Sequence, residues 1–217
     1  MSLIRDAVQS FASDMGAGTL TLDVGCGLRP YEIFFPAGTY IGIDVPQSGR
    51  SEDGKKPDRE FNGVDIPFED NHFDAIICTE VLEHAIDPQG VLREMYRVLK
   101  PGGKLMLTVP FMWGLHELPY DFRRYTFEGI RREIVNSGFD VTRLEKLNAG
   151  LSALQMLISS ETNNYLVNVM SLEAKRSFKF RIYYYLQMKL LRMLFFIWNR
   201  CLRFERVYID NLVIAQK

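Results

Sequence analysis

The chain has 217 residues, a formal charge of −1, 47% hydrophobic and 24% charged side chains, and three cysteines. These values exclude a disordered chain and a generally basic nucleic-acid binder, and the length suffices to bury a sizeable core without metals or disulfides. Cys26, Cys78 and Cys201 form no CxxC pair and no even disulfide set, which points to a reducing compartment, the cytoplasm, and away from structural zinc.

Residues 1–16 carry Asp6 and Asp14 and no apolar run before a small-residue cleavage site, so they predict a short leading helix and not a secretory signal. From Thr19 onward, short apolar runs alternate with longer segments. Leu20–Val24, Tyr40–Asp44, Ala75–Thr79 and Lys104–Val109 read as buried strands. Between the last two, Pro88–Leu99 sets Val91, Leu92, Met95, Val98 and Leu99 on one helical face, and Pro101-Gly102-Gly103 is expected to stop that helix. Phe139–Leu147 and Tyr208–Ala215 are two further strand candidates. The β/α rhythm predicts an α/β, Rossmann-like, doubly wound sheet of six or seven strands in one domain, residues 1–217.

Between the last two strand candidates, residues 149–206 are too long for a hairpin connection and read as a helical insertion. Residues 173–217 hold 10 basic and 3 acidic side chains, against 16 and 24 in the rest. Ile182, Leu186, Leu190, Met193, Leu194, Ile197 and Cys201 follow helical spacing, and Lys189, Arg192, Asn199, Arg200 and Arg203 form a polar stripe. Such a stripe fits packing on its own domain or on a second copy, a homodimer, ahead of peripheral contact with an anionic membrane. Covering a hydrophobic substrate is a third use. The six apolar residues Met193–Trp198 are too few to cross a bilayer, and the acidic remainder disfavours nucleic acid.

In open α/β sheets, ligands bind beyond the carboxyl ends of the strands, and four such ends carry acids. The first, TLDVGCGLRP, sets Asp23 before Gly25 and Gly27, which allow a sharp turn without a Cβ in the ligand's way. The second closes on Asp44, 21 residues after Asp23, a spacing suited to accepting hydrogen bonds from ribose hydroxyls. At the third, Asp65 beside Ile66 suits an exocyclic amine and the flank of a purine. The fourth is Thr79-Glu80, just before Val81-Leu82-Glu83-His84. Proline at position 30 replaces the last glycine of a dinucleotide fingerprint, and no P-loop sequence exists.

This series resembles the class I S-adenosylmethionine-dependent methyltransferases of the bacterial small-molecule type, including those of ubiquinone and menaquinone biosynthesis and of polysaccharide gene clusters. LDVGCG is similar to their first motif, GID to the ribose motif, VDIPFEDNHFDAIICTEVLEH to the adenine segment and fourth strand, and RVLKPGGKLMLTVP to the fifth. The resemblance implies S-adenosylmethionine as cofactor and a seven-stranded sheet whose last strand runs antiparallel. It sets Asp23, Gly25 and Gly27 around the methionine part, Asp44 at the ribose, and Asp65 with Ile66 at the adenine. Cys26, Val45, Thr79 and Glu80 complete the expected cofactor set. Arg29 stands where the family often has a third glycine, and it is placed to contribute a charge-assisted bond.

Methyl transfer needs an acceptor placed in line and, for a hydroxyl, a base. The segment Pro110–Thr126 follows the fifth strand at the ligand face and is dense in aromatic and charged groups. Within it, His116 is the candidate base, Asp121 its orienting partner, and Trp113, Tyr120, Arg124 and Tyr125 the acceptor-recognising side chains. His84 is the second candidate base. Glu80, Glu83 and His84 resemble a metal-binding stretch of some ubiquinone-pathway enzymes and would share one face of a helix. The same letters occur in methyltransferases without a metal, so none is expected, and His72 is expected to be exposed. The sequence thus reads as an enzyme methylating a small molecule, at oxygen, with a non-catalytic cofactor-binding or membrane-associated scaffold as the alternative.

Overall fold

The computed structural model describes residues 2–36, 38–46, 56–168, 182, 184–187, 189–190, 193–194, 196–197 and 206–217. Two compact units divide the chain. The first comprises 1–111, 117–147 and 210–217, and the second 112–116 and 148–209.

The first unit is built on one mixed sheet of seven strands: β1 (Thr21–Val24), β2 (Tyr40–Asp44), β3 (Arg59–Glu60), β4 (Phe73–Thr79), β5 (Leu99–Pro110), β6 (Asp140–Leu147) and β7 (Asp210–Gln216). Their order is β3-β2-β1-β4-β5-β7-β6. The first five are parallel, whereas β7 lies antiparallel between β5 and β6. The sequence reversal between β1 and β4 opens the crevice in which such sheets bind ligands.

Strand alternation sends side chains to two cores. Ile76 and Cys78 of β4 and Leu105, Leu107 and Val109 of β5 face one core; there α2 (Pro88–Val98) contributes Val91, Leu92 and Met95, and α3 (Phe127–Asn136) contributes Ile130 and Ile134. Ala75, Ile77 and Met106 face the other, covered by Ile4, Val8 and Phe11 of α1 (Ser2–Ser13). Pro88 opens α2 behind an Asp87 cap that accepts from the Gly90 N–H at 2.8 Å, and the Thr126 hydroxyl accepts from the Gly129 N–H at the start of α3.

Two local expectations are corrected. The helix α2 ends at Val98, and Pro101-Gly102-Gly103 lie within β5, in a bulge where Phe73 pairs with Leu99 but Ala75 with Lys104. Gly102 takes φ +78°, and Lys217 supplies the missing ladder by pairing with Gly102 and Gly103 at 2.9 and 3.1 Å. His72 is half-buried instead of exposed, its ring 5.5 Å from that of Phe68 and 4.8 Å from that of Phe73.

In the second unit, α4 (Leu151–Asn168) follows Gly150, whose N–H bonds the Val207 carbonyl at 2.7 Å. The described residues from Ile182 to Ile197 have helical backbone. The predicted stripe residues Arg192, Asn199, Arg200, Cys201 and Arg203 lie outside the described residues.

Candidate active site

Four strand ends meet on the crevice. After β1, Gly25 and Gly27 adopt φ of +73° and +53°, a region costly for side chains with a Cβ. A Cβ on Gly25 would stand 2.3 Å from a Val81 methyl. Asp44, at the end of β2, accepts from the Gly27 N–H and from the Val45 N–H, both at 2.8 Å. The carboxylate is thus fixed beside the glycine turn. Val45 stays exposed.

Asp23 and Cys26 are nearly fully buried. The Tyr40 hydroxyl donates to the Asp23 carboxylate, so this acid braces β1 against β2. Burial pushes the Cys26 thiol up to about 12, and its sulfur packs where Gly42 has no Cβ. Arg29, at φ +57°, turns onto Asp58 at 2.8 Å and Glu32 at 3.2 Å; Asp58 in turn accepts from the Gly42 N–H. This arginine ties the loop before β3 to the glycine turn.

The third end departs from expectation. Asp65 is exposed, held by the Asn62 amide at 2.7 Å, but Ile66 is 2% exposed and part of the core, so its side chain cannot flank a purine. Its backbone N–H donates to Glu94, and Arg97 donates to its carbonyl, to that of Phe68 and to Asp70. The Glu94–Arg97 pair on α2 therefore shapes this loop, a role sequence reading missed.

At the fourth end, Glu80 takes φ +54°, and residues 80–84 form a turn, not the expected helix. Burial pushes the Tyr31 hydroxyl above its ordinary value, and Thr79 counters that shift. Residues 120–125 are laced to this turn: the Phe122 N–H donates to the Glu83 carbonyl at 3.0 Å, the Tyr125 hydroxyl to that of Leu82 at 3.3 Å, and Arg123 to that of Ala85. Tyr125 is a core residue whose hydroxyl burial pushes up to about 12, which corrects its expected role in recognising an acceptor. Asp121 is committed to a bidentate pair with Arg124, while Tyr120 is exposed.

His84 Nδ1 lies 2.8 Å from the Tyr120 carbonyl. A carbonyl only accepts, so Nδ1 carries a proton. Nε2 stands 3.7 Å from Glu83 Oε1 and 3.9 Å from Glu117 Oε2. Glu83 is fully buried, with neither side-chain oxygen hydrogen-bonded. Burial, reinforced by Glu80, pushes its carboxyl up to about 9; burial and Asp210 push Glu80 up to about 8.

Trp113 and His116 belong to the second unit, both half-buried. His116 Nδ1 contacts the Gly114 carbonyl at 3.2 Å, which likewise places a proton on Nδ1.

Residues 22–107 match the family described as Methyltransferase domain. A demethylmenaquinone methyltransferase of Anoxybacillus flavithermus is 34% identical over 125 residues, 50% of this chain and 53% of that protein. The chain spans about half the length of most of the curated relatives it matches. Among solved structures, the 4+2 cyclase SpnF is similar with a TM-score of 0.62 at 20% identity, over 99% of this chain and 80% of that one. Phosphoethanolamine N-methyltransferase 2 of Haemonchus contortus, in complex with S-adenosyl-L-methionine, gives 0.57 at 18% identity, over 99% and 52%.

Residues 22–107 are thus similar to a methyltransferase domain, and the fold is shared with the solved structures above. The residues present at the crevice fit S-adenosylmethionine. A glycine turn whose first Cβ would strike Val81, a fixed Asp44 carboxylate and an exposed Val45 form a cradle at the crevice.

Proposed function

We propose that the protein transfers the methyl group of S-adenosylmethionine to a hydroxyl of a small molecule. The observation that supports this best is the half-buried His84 imidazole in the turn after the fourth strand end, its Nδ1 fixed 2.8 Å from the Tyr120 carbonyl. When bound, the cofactor supplies an electrophilic methyl group on a sulfonium. Gly25, Gly27, Asp44, Val45 and Asp65 would hold it.

His84 is the base. Its Nε2 receives the acceptor's hydroxyl proton, Nδ1 stays anchored on the Tyr120 carbonyl, and the Glu117 carboxylate at 3.9 Å offsets the charge gained by the ring. Glu83, with its carboxyl pushed up to about 9, is neutral at pH 7 and does not compete for that charge. The Asp121–Arg124 pair, neutral overall, offers a polar edge to the acceptor. The scaffold alternative gives the His84 geometry no role.

The likeness to demethylmenaquinone methyltransferases favours a quinol-type acceptor, and a cytoplasmic setting agrees with the buried free thiols Cys26 and Cys78. The test is calorimetric titration with S-adenosylmethionine and S-adenosylhomocysteine, followed by S-adenosylhomocysteine release with quinol and sugar acceptors. Folded protein that binds neither nucleoside removes the proposal. Binding without turnover on any acceptor favours the scaffold.

A further inference from the structure

In the second unit, helical residues between Ile182 and Ile197 expose large apolar side chains: Tyr185 63%, Leu186 56%, Leu190 53%, Met193 52%, Phe196 62% and Ile197 49%. The sequence around them is strongly basic. Residues 175–206 contain nine basic side chains and one acidic, while the rest of the chain contains 17 basic and 26 acidic. Among the described residues, no helix is long and apolar enough to cross a membrane.

Apolar side chains left in water and a concentrated positive charge make two demands on a partner. A second copy of this segment would cover the apolar side chains but bring like charge against like. The acidic remainder of the chain answers only the charge. The boundary between anionic headgroups and acyl chains meets both demands, since aromatic and aliphatic groups enter the acyl edge while lysine and arginine stay at the phosphates.

We propose that this helical segment lies in the surface of an anionic lipid membrane and docks the protein there without spanning it. The proposal is independent of the acceptor and of the assignment of His84. It gives the length between β6 and β7 a use.

Full-length protein is sedimented with phosphatidylcholine vesicles and with vesicles that also contain phosphatidylglycerol, at low and high salt. Binding should be at least roughly tenfold stronger to the anionic vesicles and weaken in high salt. The double variant Leu190→Glu/Phe196→Glu should lose vesicle binding. An unchanged affinity for S-adenosylmethionine in that variant shows an intact first unit, and if no cofactor binding exists, an unchanged circular dichroism spectrum serves instead. Absence of vesicle binding, equal binding to neutral vesicles, or undiminished binding by the double variant each overturns the proposal. Self-association in sedimentation velocity without vesicle binding points to a second copy and overturns it as well.

Discussion

His84 and Tyr120, 36 positions apart, meet through a 2.8 Å contact between the imidazole Nδ1 and the Tyr120 carbonyl. That contact fixes which nitrogen can act as a base. His84→Ala should therefore lower turnover by about 10²–10⁴ once an acceptor is in hand, with cofactor affinity unchanged by calorimetry. A rate near that of the parent protein would take His84 out of the chemistry and turn attention to His116.

Asp44 joins the ends of β1 and β2 through two backbone donors, at the strand end where the proposed cofactor's ribose would sit. Hydrogen bonds to a charged group are worth about 1.5–3 kcal/mol, so Asp44→Ala should raise the dissociation constant for S-adenosylmethionine by roughly 10–150-fold. Titration reads this directly. Unaltered affinity would place the ribose elsewhere.

Gly25 is constrained twice, by φ +73° and by the Val81 methyl that a Cβ would meet at 2.3 Å. Gly25→Ala should cost about 1–3 kcal/mol and weaken cofactor binding. Adding Val81→Ala should recover part of the loss, because it relieves the collision and leaves the backbone cost. If Val81→Ala restores nothing in urea denaturation, the collision is not what excludes a side chain here.

Glu83 gives stability a pH dependence whose sign follows from its burial. Its folded carboxyl titrates near 9 instead of the ordinary 4.5, so between those values the folded state holds a proton that the unfolded chain has released. Stability contributed by this group is fully present below the ordinary value and is lost as pH rises toward about 9. Glu83→Gln, which keeps the shape and cannot ionise, should flatten that decline and raise the melting temperature near pH 9 by roughly 2–4 °C for each kcal/mol regained. A variant with the same slope as its parent would show that Glu83 is ionised when folded.

Six of the seven strands were legible because a short apolar run bounded by glycine, proline or aspartate admits few other readings, and β2 was placed to the residue, whereas the two polar residues of β3 carry no such signal. Beyond that, pattern alone fails for physical reasons. Pro101-Gly102-Gly103 looked like a helix stop, yet the Lys217 backbone makes the stretch part of a strand. Ile66 sits in a cofactor-like motif, but Glu94 and Arg97 hold its backbone while its side chain turns into the core. Tyr125 reads as a polar aromatic in a ligand loop, and its ring fills the core above Leu82. The signal for the Glu94–Arg97 brace was present as an i,i+3 pair of opposite charge on an amphipathic helix. Only the fold shows that the brace reaches the loop of residues 66–70 as well.

The position of β7 governs the order in which the sheet can be assembled. Among the described residues, β6 has β7 as its only sheet neighbour, although residues 148–209 separate the two. Strands β1 to β5 can pair as soon as their parallel crossovers form. Strand β6 must wait, ready but unpaired, until a distant segment docks against β5 and offers its other edge. Closing so long a loop before either contact is rewarded makes this the slow step of folding. A kinetic experiment on this protein should find five strands protected early and two late, with β6 exposed as a sticky edge in between.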